Sequence, residues 1–312
     1  MSTPVGIIAS RTIDPSEPVE PVSWVVPNFA ARGYLTVLAG QAGIGKSTLA
    51  LQLAADVGTS EAPSLYLDIE NGPEHLRRLS AAIGIAPGQV ELVDMAGLSL
   101  TDSDTLARLT AEILGKSVAT MARHHRLGVP LVVLDSLRRF APGRSENSSD
   151  DMAPYIASLT TLARTTRSAV VLIHHASSKP DAPTLRGSTA IEDQADLVLT
   201  LTKQRDTIKL ACSKCRPAAQ PTPSYYRRQA DPLRLVETIA PPSSTVTSAL
   251  ADRLRTLSMT QSPPWRLNDI GAVLDLDTSA DTDSRKLRRA IDELTRSGEW
   301  VKHDRGLYGP VA

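Results

Sequence analysis

The stretch VLAGQAGIGKSTLA, residues 37–50, holds Gly40 and, after four intervening residues, Gly45, followed directly by Lys46 and Ser47. A short apolar run precedes it and an alanine- and leucine-rich run follows it, so the spacing predicts a strand, a tight loop and a helix. Glycines let such a loop turn sharply and aim its backbone N–H groups at phosphate oxygens. The start of the helix adds positive dipole potential. Residues 40–48 are therefore expected to cradle phosphate: Gly40, Gln41, Ala42, Gly43, Ile44, Gly45, Lys46, Ser47 and Thr48. Lys46 would neutralise the β- and γ-phosphates of ATP, and the Ser47 hydroxyl would ligate Mg2+.

Outward from this loop, strands and helices alternate. Strands are expected at 34–39, 64–68, 90–94, 131–135 and 169–173, and helices at 46–57, 73–83, 101–125 and 151–166. Such alternation predicts an α/β fold with a central, mostly parallel sheet covered on both faces. Four further strand candidates, 195–202, 207–213, 224–228 and 233–239, lack intervening helices and should extend the sheet in a largely antiparallel way. Residues 1–20, rich in Pro, Ser and Glu, read as a mobile arm. The large domain then covers 21–240, and Pro241, Pro242, Ser243 and Ser244 read as a linker.

A second unit follows at 245–312. Helices are expected at 246–257, 267–274 and 283–297, the last with an apolar stripe of Leu287, Ile291 and Leu294 and a stop at Gly298. Two short strands flank the turn Asp304-Arg305-Gly306. Three helices and a hairpin predict a winged helix.

Bulk properties narrow the class. The 34 basic residues balance the 34 acidic ones, so only local clusters can argue for a nucleic-acid partner. No apolar run approaches the roughly 20 residues that span a bilayer, and no secretory signal is present, which excludes a membrane and fits a cytoplasmic protein. Two cysteines do not make a disulfide framework. Cys212 and Cys215 do not make a zinc site either, because a structural zinc takes four ligands and an offset of three puts the thiols on opposite faces of a strand.

Other candidate residues lie at strand ends. Asp135 closes LVVLD, where open α/β sheets bind ligands, and is expected to hold the Ser47-bound Mg2+ through water rather than merely to cap the next helix. Glu70, in SLYLDIENGPEH, is expected to end the next strand after the phosphate loop, with Asp68, two residues earlier and within that strand, as its rival. By position alone Glu70 fits equally a carboxylate that polarises water and a cap of the helix at 73–83. His174 and His175 fit equally polar caps and phosphate sensors.

The order of these motifs resembles the RecA-type ATPase fold, specifically the hexameric replicative helicases of the DnaB type and the smaller plasmid RepA-type helicases. The segment PVSWVVPNFAARGYLTVLAGQAGIGKST is similar to the opening of the RepA-like group. Residues 131–152, LVVLDSLRRFAPGRSENSSDDM, resemble its Asp-ending strand and basic loop, and residues 171–200 resemble its sensor strand, DNA-facing loop and following helix. The resemblance spans about residues 20–240. It implies that Glu70 activates water, that His175 senses the γ-phosphate, and that Lys214 and Arg216 match a Lys-x-Arg element reaching into a neighbouring subunit's ATP site. A homo-oligomer, a hexamer by family resemblance, follows. An N-terminal collar domain and the usual absence of a winged helix separate those helicases from this chain.

Three basic clusters complete the reading. Arg138, Arg139 and Arg144 follow Asp135, and Lys179 and Arg186 follow the sensor strand; in a ring both loops would track single-stranded DNA with little sequence preference. Arg285, Lys286, Arg288 and Arg289 on the last helix, with Lys302 and Arg305 near the wing, suit a recognition helix for duplex DNA, a protein-docking surface or a solvated face. The expected function is a DNA-dependent ATPase motor acting in replication or recombination; the alternative is a slow nucleotide switch whose winged helix selects a target.

Overall fold

The computed structural model describes residues 16, 18, 20–94, 99–125, 128–140, 143, 145, 148–176, 189–204, 206–239, 245–260, 265–296, 299–303 and 307–310. The chain divides into two compact units, Met1–Ile239 and Ala240–Ala312.

In the first unit, a two-stranded ribbon of β1 (Trp24–Val26) and β2 (Ala30–Ala31) leads into β3 (Leu35–Gly40). There follow α1 (Lys46–Val57), β4 (Ser64–Asp68), α2 (Pro73–Ile83), β5 (Val90–Asp94), α3 (Ser103–His124), β6 (Leu131–Asp135), the single turn α4 (Leu137–Phe140), α5 (Ser149–Thr166), β7 (Ala169–His175) and α6 (Thr189–Gln194). Four strands close the unit: β8 (Leu197–Gln204), β9 (Thr207–Cys215), β10 (Ser224–Ala230) and β11 (Leu233–Thr238).

Nine of these strands form one sheet in the order β11-β10-β9-β8-β3-β7-β6-β4-β5. From β8 to β5 all neighbours are parallel; β9, β10 and β11 add on antiparallel. Strands β3, β4, β6 and β7 are buried on both faces, which is why they read as unbroken apolar runs rather than alternating ones. One face packs against α1 and α2 around Leu38, Leu49, Leu51, Tyr66 and Val133. The other packs against α3, α5 and α6 around Val132, Leu134, Ile113, Ile156 and Ile191.

The chain leaves β3 and re-enters the sheet at β4, beyond β7 and β6. That reversal of strand order opens a crevice at the carboxyl ends of the strands. The register lines up the ends that border it: Gly40 pairs with His175, and Asp68 with Asp135.

One departure from the strand pattern matters. In β9, Lys214 pairs with Val198 while Cys212 pairs with the next residue, Leu199, so Ser213 is an extra residue in the ladder. The bulge changes which way later side chains point. Cys212 is buried in the core beneath α1, and Cys215 packs against that same core. The expectation of thiols on opposite faces is therefore corrected: simple alternation holds only without a bulge.

The second unit contains α7 (Thr245–Thr260), β12 (Trp265–Arg266), α8 (Leu267–Val273), α9 (Asp281–Arg296), β13 (Trp300–His303) and β14 (Leu307–Pro310). The strands form an antiparallel sheet in the order β12-β14-β13. Leu250, Leu254, Ile270, Leu287, Ile291 and Leu294 build its core, with Trp265 and Trp300 packed at 5.6 Å between ring centroids.

Candidate active site

The loop between β3 and α1 is shaped by close approach. A Cβ at Gly40 would stand 3.0 Å from Ile44 Cγ2 and 3.1 Å from the Leu201 carbonyl oxygen, so a side chain there would crowd the loop where it folds back on the strand. Gly45, the residue before α1, has φ of 110°, a conformation that a side chain would strain. No side chain caps α1, so its first N–H groups remain available to an anion.

Lys46 is buried, and its Nζ donates to the carbonyl oxygens of Gly40 and Gln41, each at 3.0 Å. Burial lowers its pKa, and the nearby carboxylates of Asp135 and Glu70 act against that shift. The pocket around it, about 300 Å³, is lined by the loop together with Glu70, Asn71, His75, Leu79, Asp135, Ile173, His175 and Arg228.

Asp135 is 2% exposed. Burial pushes its carboxyl up, while hydrogen bonds from Ser47 and Tyr66 pull it back down. The Tyr66 hydroxyl, on the neighbouring strand β4, donates to Oδ2 at 2.7 Å. Asp68, the rival to Glu70, ends β4 and is occupied by local backbone: it accepts from the N–H groups of Asn71 at 3.2 Å and Gly72 at 2.7 Å. Glu70 lies two residues beyond the strand end, not on it. Its carboxylate accepts a hydrogen bond from the Ser136 hydroxyl, and His175 Nε2 stands 3.8 Å from its other oxygen. Strand β7 runs two residues further than expected, so His174 is fully buried within it and only His175 reaches the pocket.

These donors suit a hard divalent cation. Ser47 and Asp135 are bonded oxygen groups beside the phosphate cradle. Among the described residues no group of three or more His, Cys, Asp or Glu side chains is arranged to hold a metal alone. A cation here would take its other ligands from water and phosphate, as Mg2+ commonly does.

Lys214 and Arg216 lie elsewhere. Lys214 Nζ donates to the carbonyl oxygens of Glu192 and Asp193, each at 2.7 Å. Arg216 donates to the Asp193 carbonyl at 2.6 Å and to Asp196 Oδ1 at 3.3 Å. Both cations thus sit at the carboxyl end of α6, a favourable place for positive charge. Leu201 pairs with Gly40 on one side of β8, whereas Leu197 pairs with Cys215 on the other. Those four residues put the pair about 13 Å along the sheet from this chain's own loop.

Of the nucleic-acid candidates, the side chains of Arg138 and Arg139, and all of Arg144, Lys179, Arg186 and Arg305, lie outside the described residues, as do Gly298 and the linker at 241–244. Arg285, Lys286, Arg288 and Arg289 are exposed on α9; Arg285 pairs with Asp281 and Lys286 with Asp283. Sequence reading missed Tyr66, Asn71, His75, Leu79, Ser136 and Arg228. Tyr66 and Ser136 are close to motif residues in sequence or across one strand pair, but nothing near Arg228 marks it.

The glycine loop at a switch point, the buried lysine and the strand-end aspartate define a P-loop nucleotide-binding protein with a RecA-like α/β fold. More particularly, the chain belongs to the family described as AAA domain, which matches residues 3–181. Among solved structures, the ATPase domain of G40P is similar at a TM-score of 0.50 and 16% sequence identity, over 67% of this chain and 86% of that one. At that identity the likeness concerns the fold. Together these make the chain a nucleotide-binding P-loop ATPase with a RecA-like α/β fold. No helix among the described residues is long and apolar enough to cross a membrane.

Proposed function

We propose that the protein is a DNA-dependent ATP-hydrolysing motor of the hexameric RepA-like type, translocating on single-stranded DNA in the cytoplasm. The carrying observation is the placement of Glu70. Its carboxylate is held by Ser136 at the end of β6 and faces His175 across the pocket that Lys46 and Asp135 line. A carboxylate fixed there can orient and polarise a water aimed at the terminal phosphate.

In this reading Lys46 and the loop N–H groups bind the phosphates, Ser47 and Asp135 hold Mg2+, and His175 responds to the γ-phosphate. Bound Mg2+ would supply charge neutralisation across the phosphates. Lys214 and Arg216 are too far along the sheet to serve this chain's own loop, which supports a role at a neighbour's site. There an arginine stabilises transition-state charge. The loops containing Arg138, Arg139, Arg144, Lys179 and Arg186 would contact DNA, and α9 of the winged-helix-like unit would meet duplex DNA or a protein.

The test is steady-state ATP turnover with and without single-stranded DNA, with Lys46→Ala as the blank. Stimulation that disappears in Arg216→Ala supports the motor. The second reading, a slow nucleotide switch, draws on the hydrogen bonds that hold Arg216 on α6. Tight ATP binding with slow, DNA-indifferent turnover would favour it and sink the motor.

A further inference from the structure

Neither the phosphate loop nor the hydrolytic groups account for Arg228. It lies on β10, an outer strand of the antiparallel extension, 185 residues from the glycine it touches: its Nη2 donates to the Gly43 carbonyl oxygen at 3.4 Å. A Cβ placed on Gly45 would stand 3.3 Å from the same nitrogen. The guanidinium therefore covers the outer side of the loop, directly before α1.

Arg228 is held there by the fold. It pairs across the strand with Leu235 of β11. The Leu235 side chain is buried against the α1 side of the sheet, and its backbone is clamped in both directions by Gln52 of α1: Leu235 N–H donates to Oε1 at 2.9 Å, and Nε2 donates to the Leu235 carbonyl at 3.3 Å. One turn further along α1, Asp56 pairs with Arg234. The helix that begins the phosphate site thus fixes the hairpin that carries Arg228, within the same chain.

The contact also says which part of a nucleotide Arg228 can meet. A carbonyl oxygen repels phosphate, so the side of the loop where the Gly43 carbonyl is engaged is not its anion-binding side. The phosphate-facing groups are Lys46 and the loop N–H groups; the hydrolytic carboxylate is Glu70. Asp135 and His175 belong to the phosphate end, Asn71 is bonded to Asp68 and Ile173 is a buried core residue; the other lining residues are His75 and Leu79 on α2 and Arg228 itself, which offer a planar ring, an aliphatic chain and a planar cation. Those surfaces suit an aromatic base rather than a phosphate.

We propose that Arg228 is a nucleobase contact supplied in cis, its guanidinium plane stacking on the base of the bound nucleotide while α2 covers the other side. This rests on the nucleotide reading of the pocket and adds the groups that grip the nucleoside end. Because every base presents a π-face, the contact strengthens nucleoside triphosphates in general.

The experiment measures equilibrium binding of ATP and of inorganic tripolyphosphate to the full-length wild type, Arg228→Ala, Arg228→Lys and Lys46→Ala. Arg228→Ala should weaken ATP about tenfold, the scale of one stacking contact, and leave tripolyphosphate within about twofold. Arg228→Lys, which keeps the charge but not the plane, should resemble Arg228→Ala. Equal loss of ATP and tripolyphosphate, recovery of ATP binding in Arg228→Lys, or unchanged ATP binding in Arg228→Ala would each overturn the proposal. Lys46→Ala should lose both ligands. A wild type that binds neither ligand would instead count against the nucleotide reading itself.

Discussion

Replacing Tyr66 by Phe removes one oxygen from the centre of the sheet and leaves the ring volume unchanged. Tyr66 is fully buried, and its hydroxyl donates to Asp135 Oδ2 at 2.7 Å. A hydrogen bond to a charged acceptor contributes about 1.5–3 kcal/mol, more than the roughly 1 kcal/mol of a neutral one. We expect Tyr66→Phe to cost about 2 kcal/mol, lowering the midpoint of thermal unfolding by about 4–8 °C for a unit of this size. The cost should depend on pH. Burial raises the Asp135 pKa and the Tyr66 hydrogen bond pulls it down, so removing the bond raises it further. The penalty is then largest where Asp135 is ionised and shrinks as pH falls through its raised pKa. Urea unfolding of the nucleotide-free protein at neutral and mildly acid pH reads both quantities. Repeating it in an Asp135→Asn background isolates the pair, where the cost should fall to that of a neutral hydrogen bond. A cost below about 0.5 kcal/mol in both backgrounds, or one independent of pH, would refute the reasoning.

Three further outcomes are expected. Glu70→Gln should keep ATP affinity within about threefold and slow turnover by a factor on the order of 10² or more, which separates binding from hydrolysis in a single-turnover assay. Gly58→Ala should destabilise by about 2–3 kcal/mol in urea, because a Cβ there would lie 1.9 Å from the Gln89 carbonyl oxygen and 2.9 Å from Ser64 N, both backbone atoms. Asp196→Ala should cost about 2–3 kcal/mol, since Asp196 accepts from the buried Leu35 N–H at 3.0 Å and also holds Arg216; unchanged unfolding would show that water replaces it.

What the amino-acid sequence determined alone is whatever is written in neighbouring residues. The phosphate loop, the bounds of α1, β4, α2, β5 and β6, and the candidacy of Asp135 all follow from local spacing and apolar runs, because backbone turns, helix starts and buried strands depend on a few consecutive side chains. Tertiary structure decided the rest. Tyr66 meets Asp135 only because β4 and β6 are adjacent, which strand order sets and no periodicity encodes. The two cysteines share a core because Ser213 bulges, a departure from alternation that the residue types do not announce. Lys214 and Arg216 end on α6, away from their own loop, because the register of β8 and β9 places them there. Arg228 reaches Gly43 across 185 residues because a hairpin whose strands lie third and fourth out from β3 folds back onto α1. Contacts made across such a separation exist only once the sheet has closed, so they are absent from any window of sequence.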